Sequence, residues 1–324
     1  MKTILITGVA GFIAHKTAEK LLEKDYQVIG IDNLNDYYDV RLKHFRLESL
    51  KPYKNFKFYP IDIENKQKLT VLFEKYKFDT VYNLAARAGV RYSMENPDIY
   101  LSTNSQGSLN LLEQMKNHKV KKFVLASTSS LYAGLPMPFN ESLEVNTPIS
   151  PYAASKKSAE MMAYTYHHLY GVDVSIVRYF TVYGPNSRPD MAQFRFMKWI
   201  DRGQEIQLYG DGTQARDFTY VDDIAEGTIL AGEKELGFEI INLGGGNNPI
   251  SVKRMIEILE GLLGKKAKIN YLDFHKADMK ETWADIEKAK KVLSWTPKVS
   301  FEKGLEYSVH TYKENIDFMR EIQC

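Results

Sequence analysis

Short apolar runs alternate with helical patterns through the first half of the chain. Strand-like runs occupy residues 3–7, 27–32, 56–62, 80–86, 122–126 and 174–179. Between several of them, apolar residues recur at helical spacing, as over 13–22, 66–76 and 103–117. Apolar strands that alternate with helices are typical of a parallel sheet that is covered on both faces. The pattern therefore predicts an α/β fold with a doubly wound parallel sheet.

The alternation fades after about residue 184, where turn residues become frequent. Glycine-rich or proline-containing turns are predicted at 184–186, 210–212 and 244–249, and one further helix at 251–263 with Ser251 as its N-cap. We expect two domains. Residues 1–180 form the main sheet, to which a segment near 217–245 returns, and residues 181–324 mainly form a smaller domain of mixed structure.

Composition narrows the possible functions. The 324 residues include 43 basic and 41 acidic side chains, a formal net charge of +2, which gives no support to a nucleic-acid or membrane-surface binder. No apolar run approaches the roughly 18 residues of a membrane span. The sole cysteine, Cys324, excludes an intrachain disulfide and a multi-cysteine metal site, so we expect no metal and a reducing, cytoplasmic setting. Gly8 and Gly11 interrupt the first apolar run, which argues against a signal peptide.

A glycine turn follows the first predicted strand. In TGVAGFIA (7–14), Gly8 and Gly11 allow a tight turn, and the helix from about Phe12–Ile13 offers free N–H groups to a phosphate. Two glycines alone are equally consistent with an ordinary turn. Asp32, however, ends the second strand, where a carboxylate accepts hydrogen bonds from the two hydroxyls of an adenosine ribose and repels a 2′-phosphate. Together these features predict a dinucleotide site that prefers NAD to NADP.

A tyrosine and a lysine stand one turn apart on a later helix. Ser150 and Pro151 are typical of an N-cap and a first helical residue, which places Tyr152 and Lys156 on one helix face. A lysine beside a tyrosine lowers the pKa of the phenol and makes it a usable base. The spacing is not specific, because Tyr53 and Lys57 share it in a predicted loop.

Four hydroxyl residues distinguish the second pair from the first. The strand at 122–126 runs directly into Ser127, Thr128, Ser129 and Ser130. Ligands of a parallel sheet bind beyond the carboxyl ends of its strands, so these hydroxyls are placed to line a sugar site. A polar loop with only local hydrogen bonds is the alternative. We favour a catalytic group in which Thr128 acts with the tyrosine and lysine of the following helix.

These segments together resemble the extended short-chain dehydrogenase/reductases. The resemblance rests on TGVAGFIA, IDNLNDYYD, LAARAGVRYS, the hydroxyl cluster, YAASK, RYFTVYGPNSRPDM and RDFTYVDD, and extends from residue 3 to about 297. Within that family the chain is most similar to nucleotide-sugar 4-epimerases, above all those that act on UDP-glucuronate. The resemblance implies a Rossmann domain, a smaller domain that holds a UDP-sugar, a tightly held NAD, and a homodimer built on helices near 105–117 and from 152.

The resemblance also implies roles for individual residues. Tyr152 would be the base, Lys156 would tune it and bind the nicotinamide ribose, and Thr128 would hydrogen-bond the sugar 4-oxygen. Arg188 would lie near a sugar carboxylate and Arg216 would hold the diphosphate. The expected NAD contacts are Gly8, Gly11, Phe12, Ile13, Asp32, Asn33, Asn35, Asp62, Ile63, Leu84, Ala85, Ala86, Asn104, Tyr152, Lys156 and Tyr179. The expected sugar contacts are Thr128, Ser129, Ser130, Tyr152, Phe180, Thr181, Arg188, Arg216 and Asp278.

The chain departs from the family pattern at several positions. Ala14 replaces a third glycine, Arg87 stands where glucuronate epimerases usually have glutamine, and His275 stands where related glucose epimerases place an arginine. We expect inversion at C4 of UDP-glucuronate through a 4-keto intermediate, with UDP-glucose 4-epimerase as the closest alternative. Decarboxylases and 4,6-dehydratases place an acid where this chain has Ser129–Ser130. A non-enzymatic NAD sensor would not need the tyrosine–lysine pair.

Overall fold

A seven-stranded parallel sheet forms the centre of the computed structural model, which describes residues 1–246, 249–273 and 279–324. The strands are β1 (Thr3–Thr7), β2 (Gln27–Ile31), β3 (Phe56–Tyr59), β4 (Thr80–Asn83), β5 (Lys122–Thr128), β6 (Asp173–Tyr179), β7 (Thr181–Tyr183), β8 (Glu205–Tyr209), β9 (Ala215–Arg216), β10 (Phe218–Tyr220), β11 (Phe238–Leu243), β12 (Ile250–Ser251) and β13 (Lys268–Leu272). The central sheet has the order β11-β6-β5-β4-β1-β2-β3. This doubly wound arrangement confirms the predicted fold class.

Helices cover both faces of the sheet. They are α1 (Phe12–Glu23), α2 (Val40–Leu50), α3 (Lys66–Lys75), α4 (Val90–Glu95), α5 (Pro97–Tyr100), α6 (Gly107–His118), α7 (Pro151–Tyr170), α8 (Ala192–Arg202), α9 (Val221–Glu233), α10 (Val252–Leu263), α11 (Glu287–Leu293), α12 (Phe301–Glu314) and α13 (Ile316–Glu321). A π-helical segment at Leu101–Gln106 precedes α6, and a 3₁₀ helix at Ser129–Tyr132 follows β5.

The strands bury apolar side chains on both faces because successive residues of a strand point in opposite directions. In β1, Ile4 and Ile6 pack into the core on one face of the sheet, and Leu5 packs into the core on the other. A sheet buried in this way requires near-continuous apolar runs, and those runs made its first six strands visible in the sequence. Several predicted strands end earlier than expected, with β2 at Ile31, β3 at Tyr59 and β4 at Asn83.

The second half adds an edge strand and several small sheets. β11 joins the central sheet beside β6, in parallel register from Phe238 opposite Val174 to Leu243 opposite Tyr179. The segment expected to return to the sheet thus contributes α9 and β11. Three two-stranded sheets, β7 with β10, β9 with β12, and β8 with β13, lie outside the central sheet. The helix predicted at 251–263 is α10, and Ser251 caps it by accepting from the Arg254 N–H at 3.1 Å.

Two kinds of feature are not found in the described ranges. None of the helices there has both the length and the apolar character needed to cross a membrane. The same ranges hold no group of three or more histidine, cysteine, aspartate or glutamate side chains arranged to bind a metal ion.

Candidate active site

A cavity of about 400 Å³ opens at the carboxyl end of the central sheet. Its walls come from the loops that follow β1, β2, β3, β4 and β5, together with the start of α7 and the segment after β6. Loops that follow neighbouring parallel strands meet at one edge, which is where open α/β sheets bind their ligands. The cavity therefore occupies the place that the hydroxyl cluster and the glycine turn predicted.

The turn after β1 passes very close to the neighbouring loop. Gly8 has φ +69°, and a Cβ atom added there would lie 2.7 Å from the Cα of Ala85. Only glycine meets both conditions without strain. The Gly11 N–H then donates to the Gly8 carbonyl at 2.7 Å and closes the turn just before α1. The backbone is thus compact where a pyrophosphate would have to approach.

The first helix begins without a side-chain cap. Its N-cap is Gly11, which offers no side-chain acceptor. The helices α8 and α9 also begin without a side-chain cap, but the residues that open α1 line the cavity. The first N–H groups of α1 and the positive end of its dipole therefore lack a side-chain partner at the cavity wall. This is the arrangement of an anion site, and it fits a dinucleotide phosphate.

Carboxylates lie at the ends of the next two strands. Asp32 is buried, and it accepts from the Ala10 N–H at 3.1 Å and the Leu34 N–H at 2.8 Å. Asp62 accepts from the Asn33 carboxamide at 2.7 Å. Main-chain donors fix the orientation of Asp32 and leave other acceptor positions on the same oxygens for a ligand's hydroxyls.

Thr128 and Tyr152 both line the cavity. Burial raises the pKa of the Tyr152 phenol, while the Thr128 hydroxyl and the charge of Arg188 lower it. The lowering expected from Lys156 is therefore not what the structure gives, because the charge that lowers the pKa of the phenol is that of Arg188. The Thr128 hydroxyl also donates to Ser130 Oγ at 3.1 Å, which fixes the orientation of the cluster.

Lys156 is directed beneath the end of β5. Its Nζ donates to the Ala126 carbonyl at 2.9 Å, and the side chain also lines the cavity. Burial lowers the pKa of Lys156 to about 8, and the carboxylate of Glu160 opposes this shift. Glu160 in turn accepts from the Ser127 hydroxyl at 2.6 Å and from Arg178 at 2.8 and 2.9 Å. The lysine is held by a buried polar network rather than by bulk solvent.

Arg188 supplies a positive charge to the lining of the cavity. Its Nε and Nη2 donate to the two oxygens of Asp190 at 3.0 and 2.5 Å, in a fork-to-fork ion pair. The guanidinium lies 5.9 Å from the ring centre of Tyr37. Asp190 thus holds one edge of the guanidinium, and the side chain remains part of the cavity lining.

A second arginine connects the glycine turn to the Arg188 loop. Arg46 is almost fully buried in α2, and its Nη1 donates to the Ala10 carbonyl at 2.9 Å and to the Tyr38 hydroxyl at 2.7 Å. Its Nε and Nη2 both donate to the Asn186 carbonyl, at 3.1 and 2.8 Å. One side chain therefore fixes the two loops relative to each other.

The structure brings most of the predicted site residues into this one cavity. The predicted residues that line it are Gly8, Gly11, Phe12, Ile13, Asp32, Asn33, Asn35, Asp62, Ile63, Leu84, Ala85, Ala86, Thr128, Ser129, Ser130, Tyr152, Lys156, Tyr179, Phe180, Thr181 and Arg188.

Asn104 and Arg216 are not among the lining residues. Asn104 is buried behind the wall, where its carboxamide accepts from the Arg87 N–H at 2.9 Å and donates to Ser155 Oγ at 2.9 Å. Arg216 Nη1 donates to the carbonyl of Ala215 at 2.8 Å. Asp278, like His275, lies outside the described residues.

Sequence reasoning overlooked part of the lining. Tyr37, Tyr38, Lys43 and Arg87 also face the cavity. Burial lowers the pKa of Lys43 to about 8, although Asp32 opposes the shift. The IDNLNDYYD segment contained the signal for the two tyrosines, because two adjacent aromatic rings are unusual in a solvated loop.

Comparison with known proteins places this fold and site in a class. Residues 5–307 match the family model described as GDP-mannose 4,6 dehydratase. The chain belongs to this family of extended short-chain dehydrogenase/reductases, which confirms the resemblance inferred from the motifs.

Particular relatives are similar over nearly the whole chain. A UDP-glucuronate 4-epimerase of Thermodesulfobacterium geofontis is 62% identical over 319 residues, which cover 98% of each chain. The structure of UDP-glucuronic acid 4-epimerase from Bacillus cereus, in complex with UDP-glucuronic acid and NAD, is 39% identical with a TM-score of 0.91, over 96% of this chain and 99% of that one. A UDP-glucose 4-epimerase from Thermotoga maritima, with UDP-glucose, is 33% identical with a TM-score of 0.85, over 97% and 99%.

Proposed function

We propose that the protein is an NAD-dependent 4-epimerase that converts UDP-glucuronate to UDP-galacturonate. The observation that carries this proposal is that Thr128, Tyr152 and Arg188 line one cavity together with the uncapped N-terminus of α1. The 62% identity to a UDP-glucuronate 4-epimerase supports it. The uncapped helix, the close glycine turn and Asp32 fit the phosphates and adenosine ribose of NAD.

The chain's residues provide the proton path of the reaction. Thr128 would hold the 4-hydroxyl of the sugar against Tyr152, whose phenolate oxygen takes the hydroxyl proton. A bound NAD would supply the acceptor and donor of the hydride at C4. Tyr152 returns the proton after the 4-keto sugar has turned to present its other face. The positive charge of Arg188 favours the phenolate.

Arg188 would recognise the carboxylate of the sugar acid. Asp190 occupies one edge of the guanidinium, which leaves other N–H donors of the fork for a ligand. A 4-keto uronic acid is a β-keto acid and tends to lose carbon dioxide. A carboxylate held by Arg188 would be kept in an orientation that disfavours this loss.

The cavity does not favour the 4,6-dehydration of a sugar, the reaction of the GDP-mannose 4,6 dehydratase after which the family is described. Among the described lining residues the carboxylates are Asp32 and Asp62, which follow β2 and β3 on the far side of the glycine turn from the reacting group. Beside Thr128 stand Ser129 and Ser130, whose hydroxyls are weak acids. Elimination of water from a 4-keto sugar needs a general acid and base near that point.

A homodimer and a cytoplasmic setting belong to the same proposal. Met161 and Leu169 of α7 are 58% and 59% exposed. Leu101, in the π-helical segment directly before α6, is 50% exposed. Large apolar side chains exposed on one pair of helices favour a helical interface between two copies. Light scattering should give twice the monomer mass, and Met161→Glu with Leu169→Glu should return the protein to a monomer.

The test of the proposed function is a substrate panel. The purified protein is incubated separately with UDP-glucuronate, UDP-glucose and UDP-xylose, and the products are resolved by NMR. We expect UDP-galacturonate to form fastest. If UDP-glucose is epimerised faster than UDP-glucuronate, the alternative assignment is correct. Mass analysis of the nucleotide released on denaturation should give NAD, and release of NADP would contradict the argument from Asp32.

A further inference from the structure

Two loops that line the cavity are joined to each other. The loop after β2 contains Asn35 and Tyr37, and the loop after β4 contains Arg87 and Ala88. In the sheet, β2 and β4 both flank β1, so their ends lie about 10 Å apart with the glycine turn between them. Contacts between these loops therefore pass over the position where the dinucleotide would lie.

Side chains make these contacts. Arg87 Nη1 donates to Asn35 Oδ1 at 3.2 Å, and the Tyr37 hydroxyl donates to the Ala88 carbonyl at 2.7 Å. The Arg87 guanidinium also lies 5.7 Å from the ring centre of Tyr37. Arg87, Asn35 and Tyr37 all line the same cavity.

Asn35, which accepts the hydrogen bond from Arg87, is held in place by residues of its own loop and of α2. Asn35 Oδ1 accepts from the Tyr37 N–H and from Lys43 Nζ, each at 3.2 Å. Lys43 Nζ also donates to the Asn35 carbonyl at 2.7 Å. On the opposite side, Asn104 holds the main chain of Arg87 through its N–H at 2.9 Å and its carbonyl at 3.0 Å. The Arg87–Asn35 hydrogen bond thus joins two loops that are each held in place by other contacts.

We propose that Arg87 and Asn35 form a clasp over the dinucleotide cleft that slows the release of NAD. The inference rests on the NAD-binding part of the proposed function. An arginine suits this position because its long stem reaches Asn35 in the loop after β2 while its charged group remains part of the cavity lining. Glutamine, the residue usual in glucuronate epimerases, is shorter and uncharged, so this chain should retain its cofactor more firmly when it has arginine than when it has glutamine.

The rate of dinucleotide release tests the clasp without any sugar. Protein loaded with NADH is mixed with a large excess of NAD, and the loss of NADH fluorescence gives the dissociation rate. Arg87→Met, which keeps the length of the stem, should release NADH about 10-fold faster or more, the loss expected for one hydrogen bond to a charged group. Arg87→Gln should change the rate in the same direction. Arg254→Met, on an exposed arginine of α10, should leave the rate at the wild-type value.

A double-mutant cycle separates a clasp from two independent contacts. If Arg87 and Asn35 act by holding each other, Arg87→Met combined with Asn35→Ala should release NADH no faster than the quicker single variant. The clasp would be overturned if the double variant multiplied the rate increases of the two single variants. It would also be overturned if Arg87→Met released NADH at the wild-type rate. A protein that takes up neither NADH nor NAD would overturn the proposed function itself, so the two failures are distinct.

Discussion

The two halves of the molecule hold their loops in place by different physical means. In residues 1–180, the ends of buried parallel strands position several site residues, such as Asp32 after β2 and Thr128 at the end of β5. In residues 181–324, buried carboxylates that bind distant main-chain N–H groups hold the loops. Asp217 accepts from Gly246 at 3.1 Å and Ala284 at 2.8 Å, and Asp223 accepts from Lys298 and Val299 at 3.0 Å each.

The difference determines what each half contributes. Strand ends form a rigid common edge, which suits the reacting atoms of a hydride and proton transfer. Carboxylate anchors join segments far apart in the chain, as Asp201 joins Lys265 to Arg320 and to the Tyr312 hydroxyl. Loops held by such anchors can differ between relatives while the sheet stays the same. Selectivity for the sugar is therefore expected to depend on the second half.

The largest expected effect is a loss of turnover after a substitution in residues 1–180. Tyr152→Phe removes the phenolic oxygen but keeps the ring, which packs edge-on against Tyr100 at 6.0 Å. The turnover rate should fall at least about 100-fold, the lower range for a lost general base, while the melting temperature stays within a few degrees. Tyr53→Phe is the matched control, because Tyr53 has the same spacing to a lysine outside the cavity, and it should be nearly silent. Equal losses in both variants would place the site elsewhere.

The next effect concerns selectivity in the second half. Arg188→Ala should lower kcat/KM for UDP-glucuronate by about 10- to 150-fold, the loss of one charged hydrogen bond, and lower it much less for UDP-glucose. Asp190 is 38% exposed and so will be solvated once its partner is gone. Without Arg188, the carboxylate of the 4-keto sugar should be lost more often as carbon dioxide. The resulting UDP-pentose product would be detected by mass spectrometry. Equal penalties on both sugars would assign Arg188 to the Tyr152 phenolate, to the diphosphate or to the fold.

Removal of a carboxylate anchor should lower the stability of the protein rather than its turnover rate. Asp217→Ala leaves the Gly246 and Ala284 N–H groups without their acceptor, and the free energy of unfolding should fall by about 2–3 kcal/mol. Urea denaturation measures the change. Asp211→Ala is the control, because that exposed carboxylate binds only the nearby Thr213, and it should change stability by about 0.5 kcal/mol or less. Similar losses for both would remove the distinction between anchored and solvated carboxylates.

The smallest effect is a pH dependence of the same anchor. Burial raises the pKa of Asp217 from 3.8 to about 6, although the N–H groups of Ala284 and Gly246 oppose the shift. Between these two values the folded protein binds more protons at this carboxyl than the unfolded chain does. Its contribution to stability is therefore present at low pH and is lost as pH rises through about 6. The difference in unfolding free energy between wild type and Asp217→Asn should fall from pH 4 to pH 7, and a rise would contradict the assignment.

The same contrast explains how far sequence reasoning reached. The strand–helix alternation predicted six strands of the sheet, and the residues after those strands predicted most of the cavity lining. The place of Asn104 behind the cavity wall could not be predicted, because a buried carboxamide can satisfy a loop's main chain as well as a ligand, and spacing does not separate the two. The anchors of the second half could not be predicted, since Asp217 and Ala284 are 67 residues apart.

The arginine that connects the two halves has a consequence for how such enzymes diverge. Arg46 binds main-chain carbonyls, those of Ala10 and Asn186, and every amino acid carries that acceptor. The sequence around position 186 can therefore drift without losing the bond, provided that the residue there tolerates the observed φ of +56°, as asparagine and glycine do. New side chains facing the sugar can accumulate in this loop while its distance from the glycine turn is preserved. A single buried guanidinium would thus allow substrate preference to evolve without a redesign of the cofactor site.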